Sequence, residues 1–130
     1  MPNENRPVIT FEGDYTTQSG RPARILRLDR QDLILEADIQ QFRNELLECL
    51  RYDDPNPIQA DYCLDLQGTE FMSSAAYEVV MTADEIRKAS RDKAFALVNI
   101  KPEMCEFLAV TKLNKVFDVY DDVEHFLRER

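Results

Sequence analysis

The sequence predicts an α/β fold: a mixed, mostly parallel sheet of four to six strands with about four helices packed against it. Three observations carry that expectation. From Leu33 onward the hydrophobic period alternates as β-α-β-α-β-α-β-α, the signature of parallel strands joined by helical crossovers. Phe95-Ala96-Leu97-Val98-Asn99-Ile100 is a nearly continuous apolar run, as expected of an interior strand covered on both faces. A length of 130 residues with 44% hydrophobic content suits one domain, spanning 1–130, that has a real core.

The elements follow in order. Val8-Ile9-Thr10-Phe11 is β-branched and aromatic and reads as a short strand among the turn residues of the first 24 positions. Arg24 to Leu28 gives a second strand, and Leu33-Ile34-Leu35 a third after a charged turn at Asp29 to Asp32. Ile39, Phe42, Leu46, Leu47 and Leu50 then form one helical stripe, with Asp38 as the expected N-cap. That helix must stop before Asp53-Asp54-Pro55-Asn56-Pro57, because two prolines leave no helical continuation. Tyr62 to Leu66 is a strand, and Gln67-Gly68-Thr69 loosens the chain after it. Phe71-Met72 ends that segment and Ser73-Ser74-Ala75-Ala76 opens a helix. Its apolar face is Ala76, Val79, Val80, Ala83 and Ile86; its wet face is Asp84, Glu85, Arg87 and Lys88.

After the apolar strand, Pro102 sits well at a helix N1, followed by a stripe of Met104, Phe107, Leu108 and Thr111. Val116 to Tyr120 reads as a short strand. Asp121-Asp122-Val123-Glu124 has the form of a capping box with Asp121 as the cap, and Val123, Phe126 and Leu127 anchor the last helix.

Composition narrows the function. Twenty-five acidic against sixteen basic residues give a formal charge of -9, which argues against a nucleic-acid groove or an anionic membrane surface. Three glycines, Gly13, Gly20 and Gly68, allow no phosphate-binding Gly-rich loop. Cys49, Cys63 and Cys105 are odd in number and widely spaced, with one histidine, so neither a disulfide framework nor a Cys/His zinc site is supported. Reduced thiols, no apolar leader and no long apolar run give the expectation of a cytoplasmic protein without metal or cofactor.

Enzyme-type constellations are thin. His125 lies in the last helix beside Phe126 and reads as a solvated residue. Asp53-Asp54 and Asp121-Asp122 are adjacent pairs in turns or caps, which do not converge as general acid and base. Cys63 and Cys105 lie in apolar sequence surroundings, where thiols behave as small inert hydrophobes. One segment stands out. Asp65 to Ala76 puts two hydroxyls, Ser73 and Ser74, and two alanines at a strand-to-helix junction, where free backbone N–H groups meet the positive end of the helix dipole. Either serine can cap there, and a simple Ser cap with alanines for close packing is the plainest reading.

Leu64-Asp65-Leu66 and Glu70-Phe71-Met72-Ser73-Ser74-Ala75-Ala76-Tyr77 resemble, in order and spacing, the strand and the "FMDSSG" turn of the STAS domains, which include bacterial anti-sigma factor antagonists. Leu97-Val98-Asn99-Ile100-Lys101-Pro102-Glu103 continues the likeness, through Leu108, Leu113, Val116-Phe117 and Tyr120-Asp121-Asp122. It runs from about Ile25 to the C-terminus, with residues 1–24 poorly matched. By this resemblance Ser74 falls on the family's phosphorylatable serine. Ser73 stands for the Asp before it and Ala76 for the Gly after it, adding a methyl where a partner would approach.

The resemblance implies a protein-binding module rather than an enzyme. Its partner would be an anti-sigma factor of the ATP-binding serine-kinase type, with a phosphatase as a further candidate, and phosphorylation of Ser74 would be the switch. The partner surface is expected at Ser73, Ser74, Ala76 and Tyr77, together with the Asp29 to Asp32 loop; Tyr77 reads equally well as a core aromatic. Two other classes stay open: an unphosphorylated scaffold or accessory subunit of a signalling or transport complex, and, remotely, a small enzyme with Ser74 as nucleophile and no evident base.

Overall fold

A computed structural model of the chain describes residues 6–51, 60–89 and 95–130. Five strands form the main sheet: β1 (Ile9–Thr16), β2 (Pro22–Leu28), β4 (Asp61–Asp65), β6 (Phe95–Val98) and β7 (Asp118–Tyr120), in that spatial order. β1 pairs antiparallel with β2 and every other neighbour pair is parallel, so the sheet is mixed and mostly parallel. Two further strands, β3 (Asp32–Leu33) and β5 (Phe71–Met72), make a separate parallel pair. Among the described residues there are four α-helices: α1 (Glu36–Arg51), α2 (Ser74–Ala89), α3 (Pro102–Thr111) and α4 (Val123–Glu129).

The apolar stripes dictate the layering. Phe42, Leu46 and Leu50 of α1, Val79, Val80 and Ala83 of α2, and Met104 and Leu108 of α3 join Leu26, Leu28, Tyr62, Leu64 and Leu97 in one large core. Each large side chain buried there contributes roughly 1.5–3 kcal/mol. The other sheet face carries Ala23, Ile25, Cys63, Ala96 and Val98, covered by Phe126 with Val123 and Leu127 of α4. Every residue of β4 and β6 is buried, the both-faces burial expected from the apolar run at Phe95.

The hairpin bends where its register shifts between Phe11 and Gly13. Gly13 sits at φ +145, a backbone conformation that strains any side chain, with the ring of Tyr15 3.3 Å from where a Cβ would stand.

Several local expectations are corrected. Leu33-Ile34-Leu35 is not a strand of the main sheet: only Asp32 and Leu33 pair, with Phe71 and Met72, and Ile34 and Leu35 are exposed. α1 starts at Glu36, with the Leu35 carbonyl accepting the Ile39 N–H, so Asp38 lies in the first turn instead of capping it. Asp122, not Asp121, caps α4: its carboxylate accepts the His125 N–H at 2.8 Å. Val116 and Phe117 precede β7, following a 3₁₀ turn at Leu113–Lys115. The expected apolar face of α2 is buried at Ala76, Val79, Val80 and Ala83, but Ile86 is 43% exposed while Asp84 and Arg87, expected on the wet face, are buried. Cys105 is exposed, whereas Cys63 is buried and burial pushes its thiol pKa up. The break expected at Asp53 to Pro57 lies outside the described residues.

Asp61, fully buried at the start of β4, is gripped from two sides. Arg21 donates through Nε at 3.0 Å and Arg130 through Nε at 3.1 Å, both to Oδ2, and each guanidinium also reaches Oδ1. The clamp ties the β1–β2 hairpin and the end of α4 to the amino end of the central strand.

Candidate functional site

In a parallel sheet each crossover helix begins beyond the carboxyl end of the strand before it. That rule gathers the starts of α1 and α2 and the β3–β5 pair at one corner. The register Asp32 opposite Phe71 and Leu33 opposite Met72 brings the loop at Asp29 to Asp32 against the segment leading into α2. Three hydrogen bonds fix it. Thr69 Oγ1 donates to the Arg30 carbonyl at 2.7 Å, the Glu70 N–H to Gln31 at 2.7 Å and the Ser73 N–H to Leu33 at 3.0 Å. Arg30 in turn anchors the loop by donating to the carbonyls of Arg6, Pro7 and Asp29.

The two serines divide the work. Ser73 is the cap: its carbonyl accepts the N–H groups of Ala76 and Tyr77 at 3.0 and 3.1 Å, and its Oγ accepts a longer bond, 3.4 Å, from the Ala76 N–H. Ser74 is the first residue of α2 and is exposed. Ala76 and Tyr77 turn the other way. Ala76 is fully buried, so its methyl packs into the core and not at the surface, where the sequence reading had it. Tyr77 is buried as well, stacked on Phe107 with ring centroids 4.5 Å apart. Burial, with the electrostatic influence of Cys105 second, pushes its phenol up to about 12. The core-aromatic reading of Tyr77 is the one the structure takes.

What surrounds Ser74 is more apolar than a surface needs to be. Leu35 is 68% exposed, and Ile34 and Phe71 are each 51% exposed. Between the first turns of α1 and α2 runs an open groove of about 710 Å³, lined by Ile34, Ile39, Arg43, Ser74, Glu78 and Thr82 among others. Two exposed acids, Glu36 and Glu78, line it together with the exposed Arg43, and Asp32 and Glu70 are exposed on the segments that lead into α1 and α2. Reading Leu33 to Leu35 as a core strand hid Ile34 and Leu35. The available signal was their place directly before Glu36-Ala37-Asp38, where a helix start leaves side chains outside the sheet.

The corner holds no general base for Ser74 drawn from histidine. His125 lies on α4 across the sheet, where its Nδ1 accepts the Asp121 N–H at 3.2 Å and its ring meets Tyr120 edge-on. Among the described residues no three acids, cysteines or histidines converge as a metal site, and no helix is long and apolar enough to cross a membrane.

A family model described as the STAS domain matches residues 16–126. Among solved structures, an anti-sigma-factor antagonist (STAS) domain protein from Planctomyces limnophilus superposes with a TM-score of 0.69 at 22% identity, covering 81% of this chain and 86% of that one. A protein from Thermotoga maritima assigned as an anti-sigma factor antagonist gives a TM-score of 0.68 at 14% identity, covering 98% of this chain and 97% of its own. At these identities the likeness speaks for the fold. Comparison with curated proteins gives no match.

Proposed function

The chain belongs to the STAS domain family, its match extending over residues 16–126, and on that premise we propose that it is a cytoplasmic protein-binding module of the anti-sigma factor antagonist type, not an enzyme. Its docking surface is the corner formed by Ser73, Ser74 and the loop at Asp29 to Asp32, with Ile34, Leu35 and Phe71 added; Ala76 and Tyr77 hold that corner in place from below. The observation that carries this reading is an exposed serine at a helix start lining an open groove with the exposed Ile34, with Leu35 and Phe71, the neighbours of that groove in sequence and strand pairing, also left in solvent. The partner is an anti-sigma factor of the ATP-binding serine-kinase type, and Ser74 is the residue it modifies.

The physics of such a switch is local. A phosphoryl group adds roughly -1.5 to -2 charge. At the first residue of α2 that charge meets free backbone N–H groups and the positive dipole end, so the fold tolerates it. The cost falls across the interface, where a desolvated anion faces apolar or acidic partner groups. A loss of about 1.4 kcal/mol weakens binding tenfold, which suffices without any structural change.

The test is intact mass and partner affinity of the wild type, Ser74→Ala and Ser74→Asp in the native cell. Phosphate on Ser74, wild-type binding by Ser74→Ala and at least about tenfold weaker binding by Ser74→Asp are expected. An unmodified Ser74 with equal binding by all three removes the switch. A second reading, an unphosphorylated scaffold or accessory subunit using the same corner, is favoured by Ser73 and Ala76 where the family carries Asp and Gly. Equal recovery of a partner by all three proteins selects it.

A further inference from the structure

A second, smaller pocket shares the loop at Asp29 to Asp32 with the docking corner but none of the residues that line its groove. Its volume is about 210 Å³, and it is lined by Arg6, Arg27 and Arg30, by Asp29 and Gln31, and by Gly68. Leu28 ends β2 and Gly68 follows β4, so the pocket sits beyond the carboxyl ends of two adjacent parallel strands. Open α/β sheets bind their ligands at such ends.

Three arginines against one acid line it, in a chain whose formal charge is -9. The fold accounts for them only in part. Arg27 donates through Nη1 to Glu12 at 2.7 Å and stays 40% exposed. Arg30 uses Nη1 and Nη2 on the carbonyls of Arg6, Pro7 and Asp29, which holds its charge at the pocket without cancelling it. The Arg6 carbonyl accepts twice, from Arg30 and from Gln41 Nε2 at 2.9 Å each, so the backbone of Arg6 is tied down. Among the described residues neither the Arg6 nor the Arg30 guanidinium forms an ion pair, and Asp29 forms none. Arg21 and Arg130, by contrast, converge on one carboxylate, that of Asp61. Guanidiniums gathered without a shared carboxylate leave positive potential and unused N–H donors in one recess.

We propose that this pocket binds a small phosphate-bearing anion, the free ion or a monoester, between the guanidiniums of Arg6, Arg27 and Arg30. Guanidiniums match phosphate oxygens in geometry as well as in charge. Gly68 has open space where a Cβ would stand, so the anion can lie against its backbone. The volume falls below the roughly 300–1,000 Å³ of pockets that enclose larger ligands, which selects a small anion over a nucleotide. Thr69 Oγ1 and the Glu70 N–H donate to the carbonyls of Arg30 and Gln31, so a bound anion braces the loop joined to the segment before Ser73 and Ser74.

The experiment titrates inorganic phosphate and, separately, glycerol 3-phosphate into the isotopically labelled full chain, with chloride holding the ionic strength constant, and follows the amide shifts. Saturable shifts at Leu28 to Gln31 and at Gly68 are expected. Arg6→Gln removes a guanidinium that the fold leaves without an ion pair, so the amide spectrum elsewhere should stay unchanged while affinity falls at least about tenfold. Lys115→Gln, an exposed cation outside the pocket, is expected to bind as the wild type does. Tighter binding of glycerol 3-phosphate assigns an esterified ligand, and equal or tighter binding of inorganic phosphate assigns the free ion. Shifts that never saturate with either anion, saturation that maps elsewhere, or full-strength binding by Arg6→Gln overturns the site.

Discussion

The two ends of the central sheet treat their polar and apolar groups in opposite ways. At the amino end of β4, Asp61 is fully buried, yet both carboxylate oxygens are occupied by Arg21 and Arg130. At the carboxyl end, three large apolar side chains stand in solvent and four acids lack ion-pair partners among the described residues. One end closes its interactions within the chain and contributes stability. The other leaves them open, the end where the proposed docking surface lies. The division matches the general placement of binding sites beyond the carboxyl ends of strands in open α/β sheets.

The sharpest way to break the contrast is at the closed end. Asp61→Ala removes the buried carboxylate that two guanidiniums share and is expected to cost about 3 kcal/mol, read as a urea or thermal midpoint. The arginines are partly exposed, which keeps the cost at the low side of the range for buried pairs. Binding through the corner should be unchanged in whatever fraction stays folded. At the open end the effect runs the other way. Phe71→Ala is expected to weaken partner binding by about 1.5 kcal/mol, roughly tenfold, with stability within about 0.5 kcal/mol of wild type. Leu35→Ser separates the two properties within one residue. A serine caps α1 better than leucine, so stability should rise by about 0.5–1 kcal/mol while affinity falls.

The smallest effect lies between the two ends, on α2. Asp84 is buried with Oδ1 unpartnered, and its Oδ2 is 3.3 Å from Lys88. Burial raises its pKa, with Lys88 opposing. The folded chain therefore holds this proton to higher pH than the unfolded chain, and stability is lost as pH rises through the folded pKa. Asp84→Asn is expected to raise the thermal midpoint by a few degrees at pH 7, the gain vanishing below 3.8, the ordinary value for the group.

Much of the architecture was legible because long elements carry a period. The stripe from Ile39 to Leu50, the run at Phe95 and the alternation after Leu33 led to the mixed, mostly parallel sheet with helices against it. Two-residue strands carry no period, so the β3–β5 pair that shapes the corner had no signature, and Leu33-Ile34-Leu35 looked like core. Asp84 and Arg87 were read as wet from residue type alone, whereas Arg87 buries its guanidinium over the Tyr62 ring, 4.7 Å from its centre. Ser74 was singled out through motif spacing, but spacing says nothing of direction. Ala76 and Tyr77, two and three residues on, turn under the helix because the start of α2 at Ser74 puts them on its inner face.

The central claim, that the chain meets its partner at the open end, is tested most directly by photo-crosslinking in the native cell. A photoreactive residue is placed at position 71, beside Ser74, and in a second protein at position 18, in the hairpin turn near the Asp61 clamp. Capture of one partner from position 71 and none from position 18 is the expected result. Capture from position 18 with none from position 71 would contradict it.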